Sequence, residues 1–413
     1  MKHLAIVVAF LGAALAAQQI PAAAVAGLAW RSIGPARTGG RIADLAVAAP
    51  PGGPETMYVG TASGGVFKSA NAGVSWTPIF DHAGGMLSIG AVAVAPSNPD
   101  IVWVGTGEVD NRQSSSWGDG IFKSQDGGRT WHSMGLAETR HIAKIVIDPR
   151  DPNTVYVAAL GHLWGSNPER GVYKTSDGGA SWKCVLYIND NTGATDVALS
   201  ARNPKLIFAA MYQRQRKGWG YNGGGPGSGI FRSSDGGATW TELHQGLPAD
   251  DKGRMGLAIF PGDDSIVYAI VEADPPAGGR GARRPPARGG VFRSLDQGES
   301  WEHMSGLDPR PTYYSRIYVD PRNPERVYIM GSERGFYISD DAGRNFRDVF
   351  SQVHGEDHVM WVDPADANHL LIGGDGGVSL SYDRGLTWLF RDNLPIGQFY
   401  DISTGRARDA AAP

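Results

Sequence analysis

Three carboxylic side chains, Glu108, Glu169 and Asp357, stand in segments crowded with aromatic and basic residues. Asp110, Arg112, Trp117 and Asp119 surround the first, and His162, Trp164 and Arg170 the second. Tyr212, Arg214, Arg216, Trp219 and Tyr221 form another group. Arg140, His141, Tyr313, Tyr314, Arg316, Glu356 and His358 fall between, with Asp375 further on. Hydrolysis of a glycosidic bond needs two carboxyl groups, about 5–5.5 Å apart for retention or about 6.5–9.5 Å for inversion. Glu108, Glu169 and Asp357 are the catalytic candidates, with Asp119 and Asp375 as further carboxylates, and their separations are not readable from the chain. Aromatic faces interleaved with carboxylates and guanidinium groups suit the C–H faces and hydroxyls of sugar rings. They suit a peptide groove as well. Part of this Trp and Tyr set is expected simply to pack its own loops.

His354-Gly-Glu-Asp357-His358 carries two histidines and two acids, with His141 and His162 expected on the same face. Imidazole and carboxylate are ligands for zinc-type ions. A His-x-x-x-His pair works cleanly on a helix, however, and this one enters a strand. Hydrogen-bonded or solvated histidines are expected, with no metal and no other cofactor.

The elements that must carry these residues come from a repeat. Seven segments fit Ser/Thr-x-Asp-x-Gly-x-x-Trp, beginning at Ser69, Ser124, Thr175, Ser233, Ser294, Ser339 and Ser381. Asn71 replaces Asp in the first and Phe346 replaces Trp in the sixth. One unit runs Ile142–Ile147, Thr154–Ala159, Gly171–Thr175 and Trp182–Leu186, four β-rich runs separated by Pro, Asn and Gly turns. Repetition at this period predicts an all-β chain: a single seven-bladed β-propeller of four-stranded antiparallel blades over residues 28–403. The conserved-looking Asp is expected to hold its turn by accepting backbone N–H groups, and the closing aromatic to bury against a neighbouring blade. Catalysis is not expected there.

The spacing between repeats is 55, 51, 58 and 61 residues, then 45 and 42, so the early units carry long loops. Short links are predicted at Ala62-Ser63, Glu333-Arg334 and Asp375-Gly376. The long loops and the inter-blade loops are expected on one face, with the repeat turns on the other, and function usually lives on such loops. The candidate ligand-binding set on that face is Arg112, Trp117, Asp119, Arg140, His141, His162, Trp164, Arg170, Tyr212, Arg214, Trp219, Tyr313, Tyr314, Arg316, His358 and Asp375.

With 38 basic against 42 acidic residues, nothing predicts a phosphate-tracking surface, so nucleic acid is not an expected partner. The apolar run after Met1-Lys-His3, ending near Ala16, reads as a secretory signal peptide of residues 1–16, too short for a membrane span. A bacterial periplasmic or extracellular location follows as an expectation. The single cysteine, Cys184, excludes an intrachain disulfide and is expected to be a small buried hydrophobe. Residues 275–290, rich in Arg, Pro and Gly, are predicted to be a flexible surface insertion in blade five, and 404–413 a tail without strand pattern. Leu28–Ile33 is a candidate extra strand for ring closure.

The repeat is identified as the Asp-box, or bacterial neuraminidase repeat. With Gly60–Gly65, Gly105-Thr-Gly-Glu108 and Ala159–Trp164, the chain resembles xyloglucan-type glycoside hydrolases and sortilin-like N-terminal propellers. The resemblance implies a glycan or peptide ligand and a second propeller-like half as partner. In the xyloglucan hydrolases a catalytic Asp lies in a Thr-Asp-x-Gly-Gly turn. The matching stretch here, Thr61-Ala-Ser-Gly-Gly65, has no carboxylate, and their second catalytic Asp comes from the other propeller. The arginine cluster of sialidases is not convincingly matched by Trp30–Pro35, although Arg41, Arg140, Arg170, Arg254 and Arg316 are available to converge. Three readings stay open: a catalytically degenerate glycan-binding propeller, an active glycoside hydrolase with relocated carboxylates, and a sortilin-like peptide- or protein-binding propeller.

Overall fold

Each repeat closes a four-stranded antiparallel sheet, and the sheets stand side by side as seven blades around an axis. The computed structural model describes residues 40–49, 55–273, 288–331, 335–349 and 354–397. The expected signal peptide, the Leu28–Ile33 strand, the Glu333-Arg334 link, nearly all of the 275–290 insertion and the 404–413 tail lie outside the described residues. Among those described, no helix is long and apolar enough to cross a membrane.

Apolar burial is divided among the seams between blades. Tyr58, Val66 and Phe80 of blade one meet Ile89, Val102, Val104 and Phe122 of blade two in one such layer. The ring is closed by the same means: Ile42, Leu45, Met57 and Val59 of blade one pack on Val359, Leu371, Val378 and Leu380 of blade seven. The box aromatics reach across these seams as expected. Trp131 donates to the Ile79 carbonyl at 2.7 Å, Trp182 to that of Met134 at 2.7 Å, and Trp76 to Asn393 Oδ1 at 3.2 Å.

The box turn is a hydrogen-bonded knot. The hydroxyl of Ser124 donates to Asp126 Oδ1 at 2.8 Å and accepts the Gly128 N–H at 2.8 Å. Asp126 then accepts the N–H groups of Arg129 and Thr130 and the Thr130 hydroxyl. These bonds hold its carboxyl well below the usual carboxylate range. Gly128 has φ +90° and a Cβ there would lie 2.6 Å from Ile79, so only glycine fits. Ser124 is buried, so Ser124→Ala should strand the Gly128 N–H and cost about 1–2 kcal/mol in urea denaturation. No measurable loss would show that the knot is dispensable.

Two faces follow from where these turns dock. The box N–H groups of Gly127, Gly178 and Gly236 bond to the carbonyls of Asp100, Asn153 and Lys205, in or just after the turns linking the first two strands of their own blades. Lys68, Lys123 and Lys174 add ties to the next blade, donating to the box carbonyls of Gly127, Gly178 and Gly236 at 2.7, 2.9 and 2.7 Å. On the opposite face the second-to-third-strand loops bond to the inter-blade loops, as in Gly65 N–H to Leu87 O (2.8 Å) and Asp375 N–H to Glu356 O (2.9 Å).

Two expectations are corrected. Cys184 is exposed, because Lys183–Leu186 is the outer strand of blade three and its alternate residues face away from the ring. The long loop of blade four is largely strand: Ile207–Lys217 folds back on Gly220–Gly223, a hairpin that carries Trp219 at its tip.

Candidate functional site

The Thr106–Gly120 connection of blade two turns inward over the axis and is pinned there by residues of the other blades. Gly107, at φ +91°, lets the loop pass beneath Arg140, whose carbonyl would lie 2.0 Å from any Cβ. His141 Nδ1 faces the Glu108 carbonyl at 2.8 Å, so Nδ1 carries the proton. Arg214 donates to Asn111 Oδ1 at 2.8 Å, and Asn111 in turn donates to the Tyr212 hydroxyl and the Thr312 carbonyl.

Around this plug lies a buried ionic network. Arg41 makes a bidentate pair with Asp375 (2.7 and 2.9 Å) and donates to Glu108 Oε1 at 2.9 Å, while Arg112 takes Glu108 Oε2 at 2.9 Å. Asp110 faces Arg254 at 3.7 Å, Arg316 at 3.6 Å and His358 Nδ1 at 3.5 Å, and His358 Nε2 lies 3.3 Å from Asp375. Burial raises the Glu108 carboxyl and Asp110 adds to this, with Arg112 and Arg41 pulling it back. Burial opposes the Asp375 charge too, but Arg41 and His358 outweigh it and hold that carboxyl low. Glu356 goes the other way, raised by burial and by its shared hydrogen bond with Asp375.

Below this network the axis is hollow. A cavity of about 400 Å³ runs along the innermost strands, with Asp44, Lys144, Asp196 and Tyr318 on its wall and Arg316 at its inner end. Asp44 and Asp196 each accept a backbone N–H of the next blade, Val92 and Leu257, both at 2.9 Å. Sequence reasoning missed this ring. Its signal was a polar residue among the apolar residues of an inner strand, as in Ile142-Ala-Lys144-Ile.

The three catalytic candidates occupy three different surroundings. Glu108 is 1% exposed between two guanidinium groups. Asp357 is buried in blade seven, beside a small cavity lined by His354, Ile372, Gly377 and Phe390. Glu169 sits on the blade-three loop, accepting from Asn167 at 3.2 Å. Of the binding candidates, Arg112, Tyr313, Tyr314, Arg316, His358 and Asp375 gather at the centre, whereas His141, His162, Arg170, Tyr212 and Arg214 line its blade-three and blade-four side. Asp119 is used locally, accepting the Met86 N–H and the Thr106 hydroxyl. Of the arginines available to converge, Arg41, Arg254 and Arg316 do so; Arg140 stays near the surface, stacked 5.6 Å from the Trp117 ring and paired with Glu138. Among the described residues no group of three or more His, Cys, Asp or Glu side chains is placed to hold a metal ion.

Three tryptophans remain open to solvent on this face. Trp117, Trp164 and Trp219, from the long loops of three successive blades, are 57%, 45% and 88% exposed.

Fold and site together define a single-ring Asp-box β-propeller. Residues 289–393 match the family described as Sortilin-Vps10, "Sortilin, neurotensin receptor 3". The chain is 28% identical over 230 residues to a xyloglucanase from a Paenibacillus species, covering 55% of this chain and 19% of that protein. It is 29% identical over 229 residues to a probable oligoxyloglucan-reducing end-specific xyloglucanase of Neosartorya fischeri, covering 54% and 24%. Among solved structures, the GH74 xyloglucanase from Xanthomonas campestris superposes with a TM-score of 0.63 at 19% identity, over 89% of this chain and 56% of that one. The protein is thus a xyloglucanase-like propeller, and the matched region spans a quarter or less of these curated relatives.

Proposed function

We propose that this propeller binds a xyloglucan-like glycan on its long-loop face without hydrolysing it, and does so outside the cytoplasm. The observation that carries the reading is the arc of exposed Trp117, Trp164 and Trp219, since indole faces left in water stack well on sugar rings. The absence of turnover is supported by Glu108 being sealed between Arg41 and Arg112, and by the lack of a carboxylate in Thr61–Gly65.

Calorimetric titration with xyloglucan oligosaccharides tests this. Trp117→Ala, Trp164→Ala and Trp219→Ala should each weaken binding about 5–30-fold, as loss of an aromatic anchor does. Unchanged affinity in the triple variant would remove the arc from the site. Release of reducing sugar by the wild type would instead favour an active hydrolase with relocated carboxylates. Binding of peptides but not glycans would favour a sortilin-like role.

A further inference from the structure

The axial cavity has an ordered interior that neither the plug nor the tryptophan arc uses. Asp44, Lys144, Asp196 and Arg316 each stand three residues before the innermost-strand residue that pairs, through the second strand, with the box serine or threonine of the same blade. They therefore occupy one tier of the ring, in blades one, three, four and six, and all four line the cavity. The other three blades place Ala91, Gly256 and Val359 at that position.

The polar atoms of this tier are only partly used. Asp44 takes the Val92 N–H, and Asp196 takes those of Val197 and Leu257. An ionised carboxylate has about four lone-pair sites, so both keep acceptor capacity. Arg316 is committed to Asp110 and to the carbonyls of Ala43 and His358. Lys144 carries donors only and cannot make the tie that Asp44 and Asp196 make to the next blade. Burial opposes its charge, but the fields of Asp44, Tyr318 and Asp196 outweigh this and keep the ammonium protonated. Among the described residues it makes no hydrogen bond, and its donors are left for the cavity.

Two residues further along, the same strands present their next cavity-facing side chains. Blades six and seven supply Tyr318 and Trp361, an aromatic stretch of wall, while Ala198 and Ala258 leave room in blades four and five. Ala201, Pro261 and Pro321, in the turns after the innermost strands, rim the cavity on the box-turn face. The other end is stopped by Arg254 and Arg316 beneath Asp110.

We infer that this cavity is a binding site for a neutral cyclic polyol of monosaccharide size, entering from the box-turn face. The aromatic wall suits the C–H face of such a ring. Asp44 and Asp196 accept from its hydroxyls, and Lys144 donates to them. Two cations and two anions share the tier, which favours no net charge on the ligand. The blind end admits a single ring and not the interior of a chain. A space of about 400 Å³ is within the range of small-molecule sites. The site opens on the face opposite Trp117, Trp164 and Trp219 and does not depend on whether they bind glycan.

The test is isothermal titration calorimetry of the full chain with D-glucose, D-xylose and myo-inositol as probes. At least one should bind at a single site with a Kd of about 10 mM or tighter. Lys144→Met should weaken that binding about 10-fold or more, as loss of a charged hydrogen-bond donor does. Ala198→Phe, which fills the space beside the tier, should abolish it. Alanine at Trp117, Trp164 and Trp219 together should leave it unchanged, which separates this site from the glycan arc. Should neither channel variant fold, wild-type crystals soaked in the binding probe decide: density between Lys144 and Trp361 supports the site, and density elsewhere overturns it. No binding of any probe up to about 50 mM, binding that survives both channel variants, or binding lost with the three tryptophans would each overturn the assignment.

Discussion

Replacing Arg41 by methionine should lower the unfolding free energy by about 3–5 kcal/mol, the loss expected when one member of a buried ionic group is removed. The size follows from what remains: Glu108 and Asp375, both largely buried, would lose the guanidinium that bridges them. The position matters as much as the burial. Arg41 enters blade one, Glu108 belongs to the loop of blade two, and Asp375 links the middle strands of blade seven, so one side chain ties three blades across the place where the ring closes. Arg310→Met is the matched control. Its partner Glu356 is at 2.7 Å, but Arg310 is half exposed, and the change should cost less than about 1 kcal/mol. Urea denaturation of both variants checks the contrast. If Arg41→Met unfolds within about 1 kcal/mol of the wild type, apolar seam packing alone closes the ring.

Acid should destabilise this fold earlier than its carboxylates require, and His141 should be a main cause. Burial, with Arg214, His162 and Arg170 nearby, pushes its imidazole down from 6.5 to about 3 against the hydrogen bond to Glu108 O. Between those values the unfolded chain binds a proton that the native protein refuses, so stability falls as pH falls. At about 1.4 kcal/mol per pH unit, the loss from this group reaches about 3 kcal/mol by pH 4.5. His358, also held low by burial, acts in the same direction. Asp375, whose carboxyl is depressed, contributes stability that is present above the usual carboxylate value and lost only below it. Glu108, raised, has the opposite sign and offsets part of the acid loss. His141→Asn keeps a donor toward Glu108 O without a titrating group. Subtracting its pH–stability profile from that of the wild type should isolate a limb falling between about pH 6.5 and 3. Superimposable profiles would mean that His141 becomes protonated without cost.

The two predictions rest on residues of unequal visibility in the chain. Arg41 and His141 could be named as candidates, yet nothing in their spacing says that one would bridge three blades and the other lie beneath a loop from its neighbour. The plug is the reason. Asp110 and Asn111 leave their own blade and meet Arg214, Arg254, Arg316 and Thr312, partners 103–206 residues away whose positions exist only once the ring has formed. Cys184 was misjudged for a related reason: an apolar strand reads alike at the rim and at a seam, and only its rank in the blade decides its exposure.

The chain itself determined the blades. A box turn is made within a few residues of its serine, so Ser124, Asp126, Gly128 and Thr130 carry the chemistry of that turn in one short run. Repeated seven times with turn residues between short β-rich runs, it dictates the strands and their order about an axis. Tertiary structure decided which charges meet. Carboxylates and guanidinium groups from separate blades pair only after closure has brought their loops to one end of the axis. There, exclusion of water turns the same residue types into a sealed network at Glu108, while Trp117, Trp164 and Trp219 stay exposed.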